Sequence, residues 1–299
     1  MPLAIRNMSK RYPNGVQALD DVSLTVEPGM FGLLGPNGAG KSTLMRTLAT
    51  LQEADGGSAT FDGIDVLRDK DAVRRILGYL PQDFGVYPKV SAEDMLDHFA
   101  RLKGIIDSRQ RKATVDALLE RTNLAAVRKQ KLGGFSGGMR QRFGIAQALI
   151  GNPRLIIVDE PTAGLDPEER VRFLNLLAGI GREAVVILST HIVDDVADLC
   201  PKFAIISKGR VLHTGAPADA VAMLKGRIWR RAVPREELEA IQKALPVISS
   251  RLQSGETIVR AYANSAPEAG FESVEPELED VYFSAVTGHF APPALQAAA

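Results

Sequence analysis

The most informative segment of this sequence is Gly35-Pro36-Asn37-Gly38-Ala39-Gly40-Lys41-Ser42-Thr43. It matches the pattern G-x-x-x-x-G-K-[ST], in which glycines let successive backbone N–H groups turn inward and cradle phosphate oxygens. The apolar run Met30–Leu34 before it predicts a buried strand, and Lys41–Leu51 after it is expected to form a helix. The positive N-terminal end of such a helix favours an anion. The segment therefore predicts a phosphate-binding loop.

Two side chains of this loop supply chemistry beyond the backbone. Lys41 is expected to contact the β- and γ-phosphates of a nucleotide, and the Ser42 hydroxyl is expected to bind Mg²⁺. The alternative, an ordinary glycine-rich turn, is disfavoured because the loop follows a buried strand and opens a helix.

A second candidate begins at the apolar run Leu155–Val158, which Asp159 and Glu160 follow directly. An apolar strand that ends in two acids places carboxylates at the carboxyl edge of a parallel sheet, where such folds bind ligands. Asp159 suits the Mg²⁺ shell through water, and Glu160 suits a general base that polarises an attacking water. Acids after a strand usually belong to a solvated loop, but beside a phosphate-binding loop we assign them to the site.

A third candidate is the segment Phe135–Arg142, which contains Ser136, Gly137 and Gly138. A serine hydroxyl, two glycines that permit close approach and a helix N-terminus make a second anion site. A capped helix start with a glycine hinge explains the same residues, so both interpretations stay open at this point.

Strands and helices alternate in the second half of the chain, at Leu155–Val158, Glu168–Leu177 and Val185–Ser189. This alternation predicts right-handed β-α-β crossovers and a parallel sheet. Residues 3–34 predict short strands, among them the alternating Val22–Val26, and residues 91–150 are mainly helical.

The pattern changes beyond residue 225. Ile228–Ala232, Val247–Leu252 and Thr257–Ala261 predict strands, and Arg235–Ala244 predicts a helix. These elements indicate a small α+β appendage.

The three motifs, in this order, resemble the nucleotide-binding subunit of ABC ATPases over about residues 3–225. The resemblance implies ATP and Mg²⁺ as ligands and adds further residues to the site. It implies that Gln82 contacts Mg²⁺ and the attacking water, that His191 contacts the γ-phosphate, and that Asp166 belongs to the D-loop. It also implies that Tyr12 stacks on adenine, for which simple packing is the alternative.

The resemblance also implies the fold and its divisions. We expect an α/β protein with a P-loop NTPase core and parallel sheet, an N-terminal antiparallel β subdomain and an inserted helical subdomain at about residues 84–150. The ATPase domain is placed at residues 1–225 and a small C-terminal accessory domain at residues 226–290. The alanine- and proline-rich residues 291–299 are expected to form a frayed tail.

The chain departs from the family's commonest signature, Leu-Ser-Gly-Gly-Gln, by carrying Phe135 and Met139 at its ends. The Ser-Gly-Gly core and Glu160 are intact, so hydrolysis is expected. The Met-containing signature of this chain is similar to signatures in exporter ATPases whose membrane subunits are separate polypeptides. The segment Pro276–Phe283 resembles the ending of many drug and antibiotic exporter ATPases, although an amphipathic capped helix also explains it.

The resemblance implies two kinds of protein partner. In this family two ATPase subunits face each other head to tail, and each ATP lies between the P-loop of one and the Ser-Gly-Gly helix of the other. A second copy of the chain is therefore expected on ATP binding, with Ser136 acting on the partner's nucleotide. An integral membrane subunit is expected to insert a short helix into a groove formed partly by residues 84–90. The alternative interpretation is that these residues anchor the helical subdomain's own core.

Composition limits the remaining possibilities. With 36 basic and 36 acidic residues the net charge is zero, which gives no electrostatic argument for nucleic acid as a partner. The longest apolar runs are far shorter than a membrane span, and a lone cysteine, Cys200, fits a reducing cytoplasm. We therefore expect the subunit at the cytoplasmic face of the cell membrane, attached through its membrane partner.

Three other classes of ATP-binding protein share some of these motifs. DNA-repair and chromosome-organising ATPases insert long coiled coils between the two motifs, but residues 42–135 show no sustained heptads. A two-cassette translation factor would need a second P-loop and signature. A regulator that binds ATP only as a signal is disfavoured by Glu160 and His191, and steady-state phosphate release distinguishes it from an enzyme. The transported cargo stays open.

Overall fold

The computed structural model describes residues 1–181, 184–267 and 270–290 of the chain. The predicted frayed tail, residues 291–299, lies outside these ranges. No helix in the described ranges combines the length and apolar character needed to cross a bilayer.

The strands are β1 (Leu3–Arg11), β2 (Gln17–Val26), β3 (Gly29–Leu34), β4 (Gly56–Phe61), β5 (Ile64–Asp65), β6 (Leu77–Leu80), β7 (Leu155–Asp159), β8 (Val185–Thr190), β9 (Lys202–Ser207), β10 (Arg210–Gly215), β11 (Ile228–Val233), β12 (Val247–Gln253), β13 (Glu256–Tyr262) and β14 (Glu272–Ser273). The helices are α1 (Lys41–Leu48), α2 (Lys70–Ile76), α3 (Ala92–Leu102), α4 (Ser108–Arg121), α5 (Gly137–Ala148), α6 (Pro167–Ile180), α7 (Val193–Leu199), α8 (Pro217–Ala222), α9 (Leu238–Ala244) and α10 (Leu278–Val286). Short 3₁₀ turns occupy Ala125–Val127, Leu132–Gly134 and Arg235–Glu237.

The central sheet has the strand order β10-β9-β3-β8-β7-β6. Its neighbouring strands run parallel except for β10, which is antiparallel to β9. Strand β8 is buried along its whole length, as expected for a strand covered on both faces. The predicted parallel sheet is therefore confirmed.

Alternate residues of β7 serve the two faces of this sheet. Ile156 and Val158 belong to one hydrophobic cluster, whereas Leu155 and Ile157 belong to the other. Because side chains alternate along a strand, one apolar strand supplies both clusters. The central sheet thus separates two hydrophobic cores and contributes side chains to both.

One of these cores is closed by the N-terminal sheet, of order β2-β1-β4-β5, in which all neighbouring strands are antiparallel. The buried side chains Val22, Leu24 and Val26 alternate with exposed ones along β2, which confirms the predicted strand. These residues pack in the same cluster as Leu44 and Leu48 of α1. The antiparallel sheet therefore buries the helix that follows the glycine-rich loop.

The other core joins the central sheet to α3, α4 and α5. Ser91 caps α3 as its sequence predicts, because its hydroxyl accepts a hydrogen bond from the backbone N–H of Asp94 at 3.2 Å. Helix α1 is shorter than the predicted Lys41–Leu51. It ends at Leu48 because Thr50 adopts a left-handed backbone conformation with φ of 62°.

The C-terminal segment forms an antiparallel sheet of order β12-β13-β11-β14. The three predicted strands are confirmed, and the short β14 also pairs with β11. The predicted helix Arg235–Ala244 is divided into a 3₁₀ turn and α9. Helix α10 packs against α7 and α8, and its Leu278 lies in the same cluster as the central sheet. The domain boundary near residue 225 stays a prediction.

A buried ion pair attaches α10 to β13. Arg260 and Asp280 are 7% and 2% exposed, and their two hydrogen bonds measure 2.7 Å (Nε to Oδ1) and 2.6 Å (Nη2 to Oδ2). Asp280 also accepts the backbone N–H of Glu277 at 2.8 Å, which completes a capping box at the start of α10. The capped-helix interpretation of this segment is confirmed, and the acid has a structural role.

We predict that Asp280→Asn lowers the free energy of unfolding by about 3–5 kcal/mol, because it leaves the buried Arg260 guanidinium with only the exposed Glu277 carboxylate, 3.9 Å away, as a charged partner. Chemical denaturation followed by circular dichroism measures the change. The control is Glu239→Gln, which breaks an exposed pair with Lys243 and should change stability little. Equal effects of the two substitutions would contradict the assigned role of the buried pair.

Candidate nucleotide site

The glycine-rich loop connects β3 to α1, and close packing requires glycine at two of its positions, Gly35 and Gly40. Gly40 has a φ of 107°, and a Cβ atom there would lie 2.3 Å from the carbonyl oxygen of Ala18. A Cβ atom at Gly35 would lie 2.3 Å from the carbonyl oxygen of Ile206. The loop therefore fits tightly between β2 and β9, with its backbone fixed before any ligand is considered.

Lys41 begins α1 and is only 5% exposed. Its Nζ donates to the carbonyl oxygens of Gly35 at 2.6 Å and Pro36 at 3.3 Å. The same ammonium lies 3.4 Å from Oε1 of Glu160. One buried cation therefore lies within reach of both the phosphate-binding loop and the acid after β7.

Glu160 adopts a left-handed backbone conformation with φ of 50°, which is uncommon for a residue other than glycine. Its backbone N–H donates to the carbonyl oxygen of Ser189 at 2.8 Å. Its Oε2 lies 2.5 Å from Nδ1 of His191, whose side chain is 50% exposed. The carboxylate predicted to act as the general base is thus held in an unusual geometry, directly beside the predicted switch histidine.

The loop, the acid and the histidine line one cleft of 340 Å³. Its lining consists of Tyr12, Val16, Ala18, Pro36, Asn37, Gly38, Ala39, Gly40, Lys41, Ser42, Thr43, Gln82, Glu160 and His191. Ser136, Gly137, Gly138 and Asp166 are not among these residues. The structure therefore brings together one group of predicted site residues and leaves a second group elsewhere on the chain.

Asp159, at the end of β7, is 3% exposed, and its Oδ1 has no hydrogen-bond partner among the described residues. A buried carboxylate oxygen without a partner is costly, and the sites that tolerate one usually supply a cation or an ordered water. Burial, and then the Asp159 charge, raises the pKa of the Tyr79 hydroxyl. Asp159 therefore has the chemistry of a metal-site acid.

These residues fit a magnesium ion bound together with phosphates. Mg²⁺ usually takes one or two protein oxygens and completes its shell with substrate phosphates and water. Ser42 and Gln82 line the cleft, and the unpartnered Asp159 oxygen belongs to the last residue of β7. The described residues contain no group of three or more acids, histidines or cysteines that could hold a metal ion.

Tyr12 lines the cleft and also makes polar contacts that the sequence did not reveal. Its hydroxyl donates to Oε1 of Gln52 at 3.2 Å and lies 3.2 Å from the hydroxyl oxygen of Thr43. Gln52 in turn donates to the carbonyl oxygen of Thr43 at 2.9 Å. The hydroxyl end of the ring is therefore tied to α1. These contacts show packing, and stacking of the ring on adenine stays a prediction.

The second group centres on the start of α5. The Ser136 hydroxyl accepts the backbone N–H of Met139 at 3.2 Å, so it is a helix cap. Gly138 leaves room for a neighbouring side chain, since a Cβ atom there would lie 2.4 Å from Oε2 of Glu169. At Gly137 a Cβ atom would meet nothing within 4 Å. The described chain thus explains the serine and one glycine but gives no packing reason for the other.

Asp166 lies in the loop between Glu160 and α6 and is exposed. Its side chain caps α6 by accepting the backbone N–H of Glu169 at 2.9 Å. Pro167 follows at the first helical position, where its missing N–H costs nothing. The predicted D-loop residue is thus a helix cap at the surface.

Sequence reasoning missed one buried acid beside the site. Asp195 of α7 is 0% exposed and accepts hydrogen bonds from Thr162 and Arg170. Burial, and then the Asp195 charge, raises the pKa of the Cys200 thiol to about 12, so Cys200 is an inert buried side chain. In the sequence the pair Asp194-Asp195 looks like a solvated acidic helix start, and no spacing distinguishes it from one.

A phosphate-binding loop, a buried lysine, the acid that follows β7 and a histidine in one cleft at the carboxyl edge of a parallel sheet define a P-loop nucleotide-binding ATPase fold. The family model for the ABC transporter matches residues 19–163 of this chain.

Two relatives and one solved structure show the same likeness. The probable multidrug ABC transporter ATP-binding protein YbhF of Escherichia coli is 31% identical over 96% of this chain. The doxorubicin resistance ATP-binding protein DrrA of Mycobacterium tuberculosis is 36% identical, over 82% of this chain and 75% of DrrA. A dimeric post-hydrolysis structure of the ATP-binding cassette MJ0796, bound to ADP and Pi, is 25% identical with a TM-score of 0.65, over 72% of this chain and 98% of MJ0796.

This chain belongs to the ABC transporter family, as one of its ATP-binding proteins with an ABC ATPase fold. The match covers 52% of YbhF, so the chain spans about half the length of that relative. The predicted P-loop core, parallel sheet and antiparallel sheets are confirmed.

Proposed function

We propose that the protein hydrolyses ATP to power export across a membrane, working with a second copy of itself and an integral membrane subunit at the cytoplasmic face. Association of the two ATPase subunits on ATP binding, and their separation after hydrolysis, drive the membrane subunit. Support for export comes from the relatives, since YbhF and DrrA carry multidrug and doxorubicin resistance names.

The observation that carries the proposal is the contact of Glu160 with both Lys41 and His191 beside the phosphate-binding loop. Lys41 and the loop N–H groups bind the phosphates and balance their charge. Glu160 orients the attacking water and accepts its proton, His191 contacts the γ-phosphate, and Gln82 contacts the attacking water and would help to hold Mg²⁺. Mg²⁺ bound with ATP supplies further charge neutralisation at the phosphates.

We predict that Glu160→Gln nearly abolishes phosphate release while ATP binding survives, because the amide keeps the shape of the side chain but cannot accept a proton. The variant is also expected to form an ATP-dependent dimer on a sizing column, where the unaltered protein stays mostly monomeric. Steady-state phosphate release and nucleotide binding measure the two effects.

Glu120→Gln on the exposed surface of α4 is the matched control and should behave like the unaltered protein. Turnover of Glu160→Gln within about threefold of the unaltered protein would remove Glu160 from the role of base.

The second copy is proposed because Ser136 and Gly137 form an exposed helix start that lies outside the chain's own nucleotide cleft. Ser136 and Gly137 are exposed, and nothing in the described chain packs where a Gly137 side chain would point. A helix N-terminus with an open glycine permits close approach of an anion. The dimeric MJ0796 cassette supports a partner that brings its phosphates to this surface.

We predict that Ser136→Arg leaves ATP binding by the monomer intact and removes hydrolysis, because the added side chain blocks the partner's γ-phosphate. Lys41→Ala is expected to lose ATP binding through its own P-loop. A mixture of the two variants should regain hydrolysis, since the heterodimer keeps one intact P-loop facing one intact Ser136. Absence of activity in every mixing ratio would contradict action across the dimer.

Residues 84–90, proposed to contact the membrane subunit, differ in how far they are buried. Phe84, Val86 and Val90 are partly buried and pack against the main core, which is the anchoring role left open for residues 84–90. Tyr87 differs, because it is 66% exposed. The segment therefore has an internal anchor and one exposed aromatic residue.

A separate apolar groove of 480 Å³ lies between α3 and the edge of the central sheet. Leu51, Tyr79, Phe99 and Leu102 are among the residues that line it, and Leu102 is 70% exposed. Exposed apolar grooves of this kind mark binding sites. We place the docking helix of the membrane subunit in this groove, with Tyr87 at an additional contact.

We predict that Leu102→Glu and Tyr87→Glu each prevent co-purification of the membrane subunit, because a carboxylate in place of an apolar or aromatic contact is costly to desolvate in an interface. Melting temperature and ATP binding should stay unchanged, since both side chains are exposed. Ile106→Glu is the control: Ile106 is 75% exposed and does not line the groove. Retention of the partner by Leu102→Glu would place the docking site elsewhere, and retention by Tyr87→Glu alone would exclude only the loop.

A further inference from the structure

We propose that Asp195 is a positioning residue, which holds Glu160 in its working conformation through a hydrogen bond from Thr162. The proposal rests on the proposed role of Glu160 as the general base. Asp195 itself does not line the nucleotide cleft. Its effect on hydrolysis is therefore exerted through the turn that follows Glu160.

The contacts of Asp195 join three parts of the chain. Its Oδ2 accepts the hydroxyl of Thr162 at 2.5 Å, and its Oδ1 accepts Nε of Arg170 at 2.8 Å. Thr162 lies in the loop after β7, Arg170 on α6, and Asp195 on α7. Thr162 is 3% exposed and Asp195 is 0% exposed, so water does not compete for the bond between them.

The turn after Glu160 needs a restraint. A left-handed backbone at a residue other than glycine persists only where the surroundings hold it, and such residues cluster at active sites. Two longer backbone hydrogen bonds shape this turn, from the N–H of Ala163 to Glu160 at 3.4 Å and from the N–H of Leu165 to Thr162 at 3.2 Å. The Thr162 hydroxyl adds a short bond to a buried acid, which fixes the turn to the body of the protein.

The choice of an acid at position 195 is informative. An apolar side chain would fill a fully buried position without the penalty of burying a charge. A carboxylate with one hydroxyl donor and one guanidinium donor instead fixes the relative positions of those donors. Helix α7 begins two residues after His191, so Asp195 connects the segment carrying His191 to the turn carrying Glu160. Those two side chains lie 2.5 Å apart and depend on this alignment.

The test uses Thr162→Val, which keeps the shape of the side chain, removes the hydroxyl and leaves the Asp195–Arg170 pair in place. A catalytic group displaced by a fraction of an ångström to an ångström loses up to about 100-fold in rate. We therefore expect kcat for ATP hydrolysis to fall about 10- to 100-fold with KM and ATP affinity unchanged. Thr162→Ser restores the hydroxyl and should recover most of the loss.

A double-mutant cycle separates positioning from general damage. If Thr162 acts through Glu160, then Thr162→Val should cause no further loss of single-turnover rate in the Glu160→Gln background. An additive loss in that background, a parallel fall in ATP affinity, or an unchanged kcat in Thr162→Val would each overturn the proposal. High turnover of Glu160→Gln by itself would instead refute the base assignment on which the proposal rests.

Discussion

The parallel pairing of β3, β8 and β7 is the constraint on which the rest of the site depends. In this register Leu34 lies opposite Thr190, and Asp159 lies opposite Ser189. The three strands therefore end at one edge of the sheet, and the loop, the acid and the histidine that follow them share one cleft. No local feature of the three motifs would achieve this, because they are far apart in the sequence and only strand pairing brings them together.

The sheet also allows the site to hold unfavourable elements. A buried lysine, an unpartnered carboxylate oxygen and a left-handed glutamate lie within a few residues of the strand ends. Each is destabilising on its own, and a marginally stable chain tolerates such features only where packing elsewhere offsets them. Here β7 and β8 bury apolar side chains on both faces of the sheet. The buried strands of the sheet thus offset the cost of the unfavourable residues at its carboxyl edge.

Local sequence patterns predict much of the fold and of the nucleotide site. The glycine-rich loop and the acid pair are contiguous segments, and the Ser91 cap needs only residues within one helical turn. The side-chain hydrogen bonds from Thr162 to Asp195 and from Tyr12 to Gln52 join residues distant in the sequence, so no sequence spacing predicts them. The predicted end of α1 at Leu51 was wrong, because the left-handed backbone of Thr50 stops the helix although the sequence there still favours one. Short β14 was missed because two residues carry no periodicity.

The start of α5 shows how far one chain explains its own sequence. Ser136 caps the helix, and Gly138 makes room for Glu169, so both residues have roles within the described chain. Gly137 is different, since a side chain there would meet nothing, its backbone conformation does not require glycine, and glycine within a first helical turn weakens the helix. An open glycine at a helix start leaves space for a group from outside the chain. A second subunit, as proposed, would supply that group at Gly137.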